Sequence, residues 1–168
     1  MTARCQFVIM FVGMLIIATL FNFPSFNPAQ ATNQHLKQAG SAKGVNVILA
    51  KWGEAGQQAA RRNLALDWLF IVVYAATWIA AGRHFLPNLI WTRFAVGVGL
   101  AGAVADIVEN VCLRMMLHGD VTDKIAQTCK QASSINVALF FLTALYFMVA
   151  AIASACRAFA SYDRSRGE

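Results

Sequence analysis

The chain has 168 residues, of which 58% are hydrophobic and only 13% charged, and its formal net charge is +6. Soluble domains carry roughly 25% charged residues, so these proportions exclude a soluble globular protein and point to an integral membrane protein. In a soluble protein the positive balance would suggest nucleic acid. Here the basic residues fall in loops and at the ends of apolar stretches, with no basic stripe interleaved with exposed aromatics, so anionic lipid headgroups are the expected partner and nucleic acid is not.

Four apolar stretches, at about residues 5–23, 64–82, 89–117 and 134–156, have the ~20 residues that a helix needs to cross ~30 Å of hydrocarbon. They predict an all-α fold: an integral membrane four-helix transmembrane bundle forming one domain over residues 1–168, with no internal repeat. Met1 to Arg4 makes a short basic start, and Ala29-Gln30-Ala31 resembles a small-residue cleavage site. The apolar run nevertheless exceeds the 7–15 residues of a typical signal core, and Asn22 to Pro28 separates it from that site. An uncleaved first span is the expectation.

The outer loop, 24–63, holds one short amphipathic helix at about 42–52. Ser41 offers an N-cap, Val45, Ile48, Leu49 and Trp52 follow at helical spacing, and Gly53 offers a stop. With Lys43 and Lys51 beside its apolar stripe, this helix suits the headgroup plane, or a cap or lid over the bundle.

The second span carries Asp67, with Tyr74 and Trp78 further along it. The third carries Asp106, Asn110, Arg114 and His118 on one i+4 ridge, with Glu109 beside it. Ala95, Gly99 and Gly102 lead into Asp106 as a small-residue stripe that admits a close neighbour. Asn136 opens the fourth span. Ionisable groups at membrane depth are costly and normally face a bundle interior or a wet cavity. The expected site is therefore an acidic pocket opening outward, with Asp67, Asp106 and Glu109 as its charged groups and Tyr74, Asn110, Arg114 and Asn136 orienting or neutralising them. Arg61, Arg62 or Arg114 can alternatively make the cluster a structural ion-pair network.

Orientation follows from the basic residues. Arg4, Arg83, Arg93, Arg157, Arg164 and Arg166 fall in three short segments on one side, while most of the others are spread along the long loop. Density places both termini in the cytoplasm and the protein, multi-pass, in a bacterial inner membrane.

Other chemistries find little support. Cys5, Cys112, Cys129 and Cys156 contain no Cys-x-x-Cys pair. Cys112 and Cys129 share a depth, which leaves a disulfide staple as the lesser reading beside two free thiols packed as small hydrophobes. His35, His84 and His118 lie in separate regions, so no haem or zinc signature is present, and Gly97-x-Gly99-x-x-Gly102 lies inside an apolar helix rather than at a nucleotide-binding turn. A hard-metal site from Asp67, Asp106, Glu109 and His118 is a minor alternative to a metal-free pocket.

Leu66-Asp67-Trp68-Leu69-Phe70-Ile71 with Tyr74, followed by Asp106-x-x-Glu109-Asn110, resembles a pattern in uncharacterised four-helix bacterial membrane proteins. The likeness covers roughly Ile48 to Met116. It implies the architecture and no activity, cofactor or partner. The leading functional expectation is non-enzymatic binding of a cation, proton or small amphiphile in the acidic pocket. An accessory subunit of a larger membrane complex, or a homo-oligomer, comes second, and a small lipid-modifying membrane enzyme third.

Overall fold

The computed structural model describes residues 33–85 and 90–166, the side chains of 84, 85 and 154–166 excepted. The expected first span at 5–23 and the Ala29-Gln30-Ala31 site lie outside the described residues. Among these residues every regular element is helical: α1 (Asn33–Ala39), α2 (Ala42–Phe85), α3 (Ile90–Leu117) and α4 (Asp123–Arg166). Three helices, over Ala42–Arg83, Ile90–Leu117 and Asp123–Ala153, are long and apolar enough to cross a membrane.

Helix α3 lies where the apolar run at 89–117 predicts a span, but α2 and α4 both extend well beyond theirs. Within the expected loop 24–63 the helix at about 42–52 is present, but residues 33–39 and 54–63 are helical too, and α4 starts at Asp123, ahead of the expected 134. Hydropathy reports what suits lipid, not what can be helical. Residues 54–65 are polar but rich in Ala, Gln, Glu and Arg, all strong helix formers. At the start of α4, Thr122 Oγ1 accepts the Ile125 N–H at 3.2 Å, an N-cap that fixes the first turn. Asp123 is shared between helices, since its Oδ1 accepts the Ala42 N–H at 2.7 Å.

Helix α2 is broken at Gly53, whose φ of 59° and ψ of −168° are non-helical. The break turns residues 42–52 back over the end of the bundle. Ser41 caps this arm through the Gly44 N–H, and Gln57 Nε2 donates across the break to the Leu49 carbonyl. The predicted stripe faces inward: Val45 is fully buried, and Ile48, Leu49 and Trp52 pack on the same core.

The interior has two apolar clusters. At the capped end, Leu36, Val45, Ala60, Leu64, Leu113, Met116 and Cys129 pack together. Further along, Ile71, Tyr74, Trp78, Ala81, Ala95, Ala103 and Phe147 form the second, in which Trp78 and Phe147 stack with centroids 5.8 Å apart. The small-residue stripe is where α3 meets its neighbours. A Cβ on Gly99 would stand 2.7 Å from the Trp78 ring and 3.0 Å from Thr143 Cγ2. Outward, α2, α3 and α4 expose Val72, Ile79, Phe94, Val104, Phe141, Leu142, Leu145 and Met148, an apolar surface suited to lipid.

Cys112 and Cys129 are free in this structure, so the disulfide staple is not formed. Both are buried in the capped-end cluster, and the Cys129 thiol is directed at the Glu109 carbonyl oxygen, 3.9 Å away.

The break at Gly53 yields a direct test. A φ and ψ of this kind are essentially glycine-only, and holding another residue there costs on the order of 1–3 kcal/mol. Nothing lies within 4 Å of a Cβ added at Gly53, so the strain is purely backbone. Gly53→Ala is expected to lower unfolding stability by about that amount, measured by thermal melting in detergent; unchanged melting would show that the arm does not depend on this break.

Candidate functional site

Between the two apolar clusters lies a polar layer. Helix α2 contributes Asp67, and two turns further Tyr74 on the same face; α3 contributes Asp106, Glu109 and Asn110 from one turn, as i, i+3 and i+4 positions must. One carboxylate oxygen from each of Asp67, Asp106 and Glu109 lies within 4.8 Å of the others. Asp106 and Glu109 are buried, at 3% and 1% exposure, and Asn110 is fully buried. The Tyr74 hydroxyl donates to Asp106 Oδ2 at 3.1 Å.

The cation in this layer is Lys37, from α1. Its Nζ pairs with Glu109 Oε1 and lies 3.9 Å from Asp67 Oδ2, with only 17% of the side chain exposed. Burial pulls the ammonium toward its neutral form, but the carboxylates of Asp67, Glu109 and Asp106 outweigh it, and the Lys37 pKa ends above its ordinary 10.5. Helix α1, described over Asn33–Ala39, packs against the bundle. It is held by tertiary contacts: fully buried Leu36, the Asn33 Nδ2 bond to the Ala60 carbonyl at 3.4 Å, and Lys37 itself. Gly40, at φ 64°, ends it and turns the chain into α2.

The layer is rich in acceptors and poor in donors. Glu109 Oε2 has no hydrogen-bond partner among the described residues, nor do both polar atoms of Asn110, which sits beside the Asp67 carboxyl without reaching hydrogen-bond geometry. Asn63 Oδ1, one turn before Asp67, is likewise without a partner, as is Asn136 Oδ1 on α4. Asn136 lies opposite Gly102, one turn before Asp106. On the side of Lys37, a polar groove of about 640 Å³ runs between α1 and α4, lined by Gln34, Lys37, Gln38, Lys130, Ser133, Ser134 and Val137.

Two expected members do not take part. Arg114 is exposed and has no ion pair among the described residues; two turns, about 12 Å, beyond Asp106 on the helix, it has passed the layer and reached the rim. His118 is exposed too, its Nδ1 bonded to the Arg114 carbonyl at 2.9 Å, which removes it from any ligand set with Asp67, Asp106 and Glu109. Arg61 is engaged elsewhere, donating to the Leu117 carbonyl at the end of α3 at 3.0 Å, and Arg62 is exposed. Lys37 was not among the expected residues. Its only signal in the sequence is a positive charge in a loop otherwise read as solvated.

No protein-family model, curated protein or solved structure matches the chain.

The Lys37 pairing sets a pH dependence whose sign is fixed. A pKa raised on folding gives stabilisation that is complete below the unfolded value near 10.5 and is lost as pH climbs through the higher folded value. A fluorophore on a cysteine placed at exposed Gln38 should keep high anisotropy up to about pH 10 and lose it above the unfolded pKa of lysine. Lys37→Met should abolish that alkaline step; an identical step in both proteins would show that Lys37 does not hold α1.

Proposed function

We propose that this is a membrane protein whose buried carboxylate layer binds positive charge, as a proton or a metal cation, between α1, α2 and α3. One observation carries the proposal: three carboxyl groups with oxygens within 4.8 Å of one another share a buried layer with one ammonium. With all three ionised, the layer holds two negative charges more than Lys37 cancels. Unpaired charge in a low-dielectric interior is far too costly to leave so, and such groups either take up protons or hold a cation. Most of the unpartnered groups around the layer favour the same sign of ligand, because Glu109 Oε2 and the amide oxygens of Asn63, Asn110 and Asn136 are acceptors, against the one unpartnered donor beside Asp67 among the described residues, Asn110 Nδ2. An anion would meet three carboxyl groups there. In this proposal the membrane is a bacterial inner membrane, with the chain termini cytoplasmic and the α1-capped end outside, as the density of basic residues suggests.

The test uses the wild-type protein in detergent with Asp106→Asn as control. A metal cation should raise the melting temperature in a concentration-dependent way, by about 2.7 kcal/mol of stability at a hundred times its Kd, and Asp106→Asn should remove that gain while leaving the bundle at least as stable. A proton should instead give an infrared band of a protonated carboxyl that disappears in Asp106→Asn. If neither effect is found, and Asp106→Asn and Glu109→Gln both melt lower by the 3–5 kcal/mol typical of a broken buried ion pair, the layer is a structural network and the proposal fails.

A further inference from the structure

We propose that the position held by the Lys37 ammonium is a binding position for a hard divalent cation, and that lysine and metal are alternative occupants, exchanged as α1 undocks. This rests on the reading that the layer binds positive charge and goes beyond it in naming the ligand class and its built-in competitor.

The geometry is that of a cation's surroundings. Lys37 Nζ pairs with Glu109 and approaches Asp67, and the oxygens of Asp67, Asp106 and Glu109 gather within 4.8 Å of one another. Bonds of 2.3–2.6 Å to Ca²⁺ place ligand oxygens up to about 5 Å apart across the ion, so three such oxygens suit one ion of this size. One further observation points to a ligand independently of the acidic residues' proximity. Asn110, fully buried and beside Asp67, leaves both its amide atoms, Oδ1 and Nδ2, without a hydrogen-bond partner among the described residues. Amide and carboxylate oxygens are what hard cations take, while among the described residues no imidazole or thiolate is at hand: His35 and His118 are exposed and the Cys129 sulfur turns to a backbone carbonyl.

Charge decides between a divalent and a monovalent ion. Lys37 offsets one of three carboxylate charges, as Na⁺ or K⁺ would in its place. A divalent ion offsets two and brings the buried layer one unit nearer neutrality, which is the margin by which it can displace the lysine. The displaced side chain has somewhere to go, because the groove beside it presents the polar side chains of Gln34, Gln38, Ser133 and Ser134, with Lys130 further along it. Between α1 and α2 the chain turns at Gly40, whose φ of 64° gives α1 a hinge about which to release it.

The experiment follows Lys37 itself in the full chain. The detergent-solubilised wild-type protein is treated with an amine-acylating reagent, and modification of Lys37 relative to exposed Lys130 is quantified by mass spectrometry in calcium, magnesium, sodium or choline chloride at equal ionic strength. Calcium or magnesium should raise Lys37 modification several-fold and sodium and choline should not. In parallel, Lys37→Met, which removes the competitor, should reach half its cation-induced melting shift at a cation concentration lower than wild type by about tenfold or more. A melting shift in wild type with Lys37 modification unchanged by divalent ions would overturn the exchange and leave the proposed function standing. No divalent-ion effect on either protein would overturn the divalent site, and the infrared carboxyl band then decides whether the layer holds protons instead. Should Lys37→Met fail to fold without metal, the labelling of wild type still decides.

Discussion

One ammonium inside a layer of three carboxyl groups is the constraint around which this molecule is arranged. Lys37 reaches Glu109 and Asp67 only if α1 lies against α2 and α3. The lysine therefore fastens α1 to this end of the bundle, beside fully buried Leu36. Its attraction for the two acids also ties α2 to α3 across the layer, where Tyr74 adds a second link through Asp106.

The surroundings make that interaction consequential. Apolar clusters lie on both sides of the layer, one built on Leu36, Leu64, Leu113 and Met116, the other on Tyr74, Trp78 and Phe147. They exclude water, and in a low effective dielectric both the attraction between Lys37 and the carboxylates and the repulsion among the carboxylates are strengthened. The break at Gly53 belongs to the same arrangement. By folding residues 42–52 back over the bundle, it places Val45 and Trp52 on the capped-end cluster and covers the layer from one side.

A buried ion pair is weak evidence for stability, because desolvating both partners offsets most of the attraction, and well-packed apolar residues in its place often do as well or better. That weakens the view of this layer as a fastening alone. An arrangement built for stability would match its charges and pair its polar atoms. Here carboxyls outnumber the ammonium, and Glu109 Oε2 and Asn110 Oδ1 are acceptors without donors among the described residues. The same imbalance is what the proposed binding of positive charge would relieve.

Much of this was determined by the sequence. Asp106, Glu109 and Asn110 stand within one helical turn of an apolar run, and that spacing alone puts them on one face whatever the rest of the chain does. Antiparallel packing of two such runs brings Asp67 to the depth of Glu109 and Asn110, and Tyr74, about 10 Å further along its helix, to that of Asp106, and the small stripe through Gly99 and Gly102 marks the side on which a neighbour packs. The stripe of Val45, Ile48, Leu49 and Trp52 and the stop at Gly53 are equally local. What the tertiary structure decided is the identity of the counter-ion. Arg114 continues the acidic ridge in sequence, but the helical rise carries it past the layer to an exposed rim. Lys37 lies 30 residues before Asp67 and 72 before Glu109, so nothing local could announce it. It reaches the layer because Leu36 beside it is buried at the bundle's end, a contact between distant parts of the chain that only the folded structure brings about.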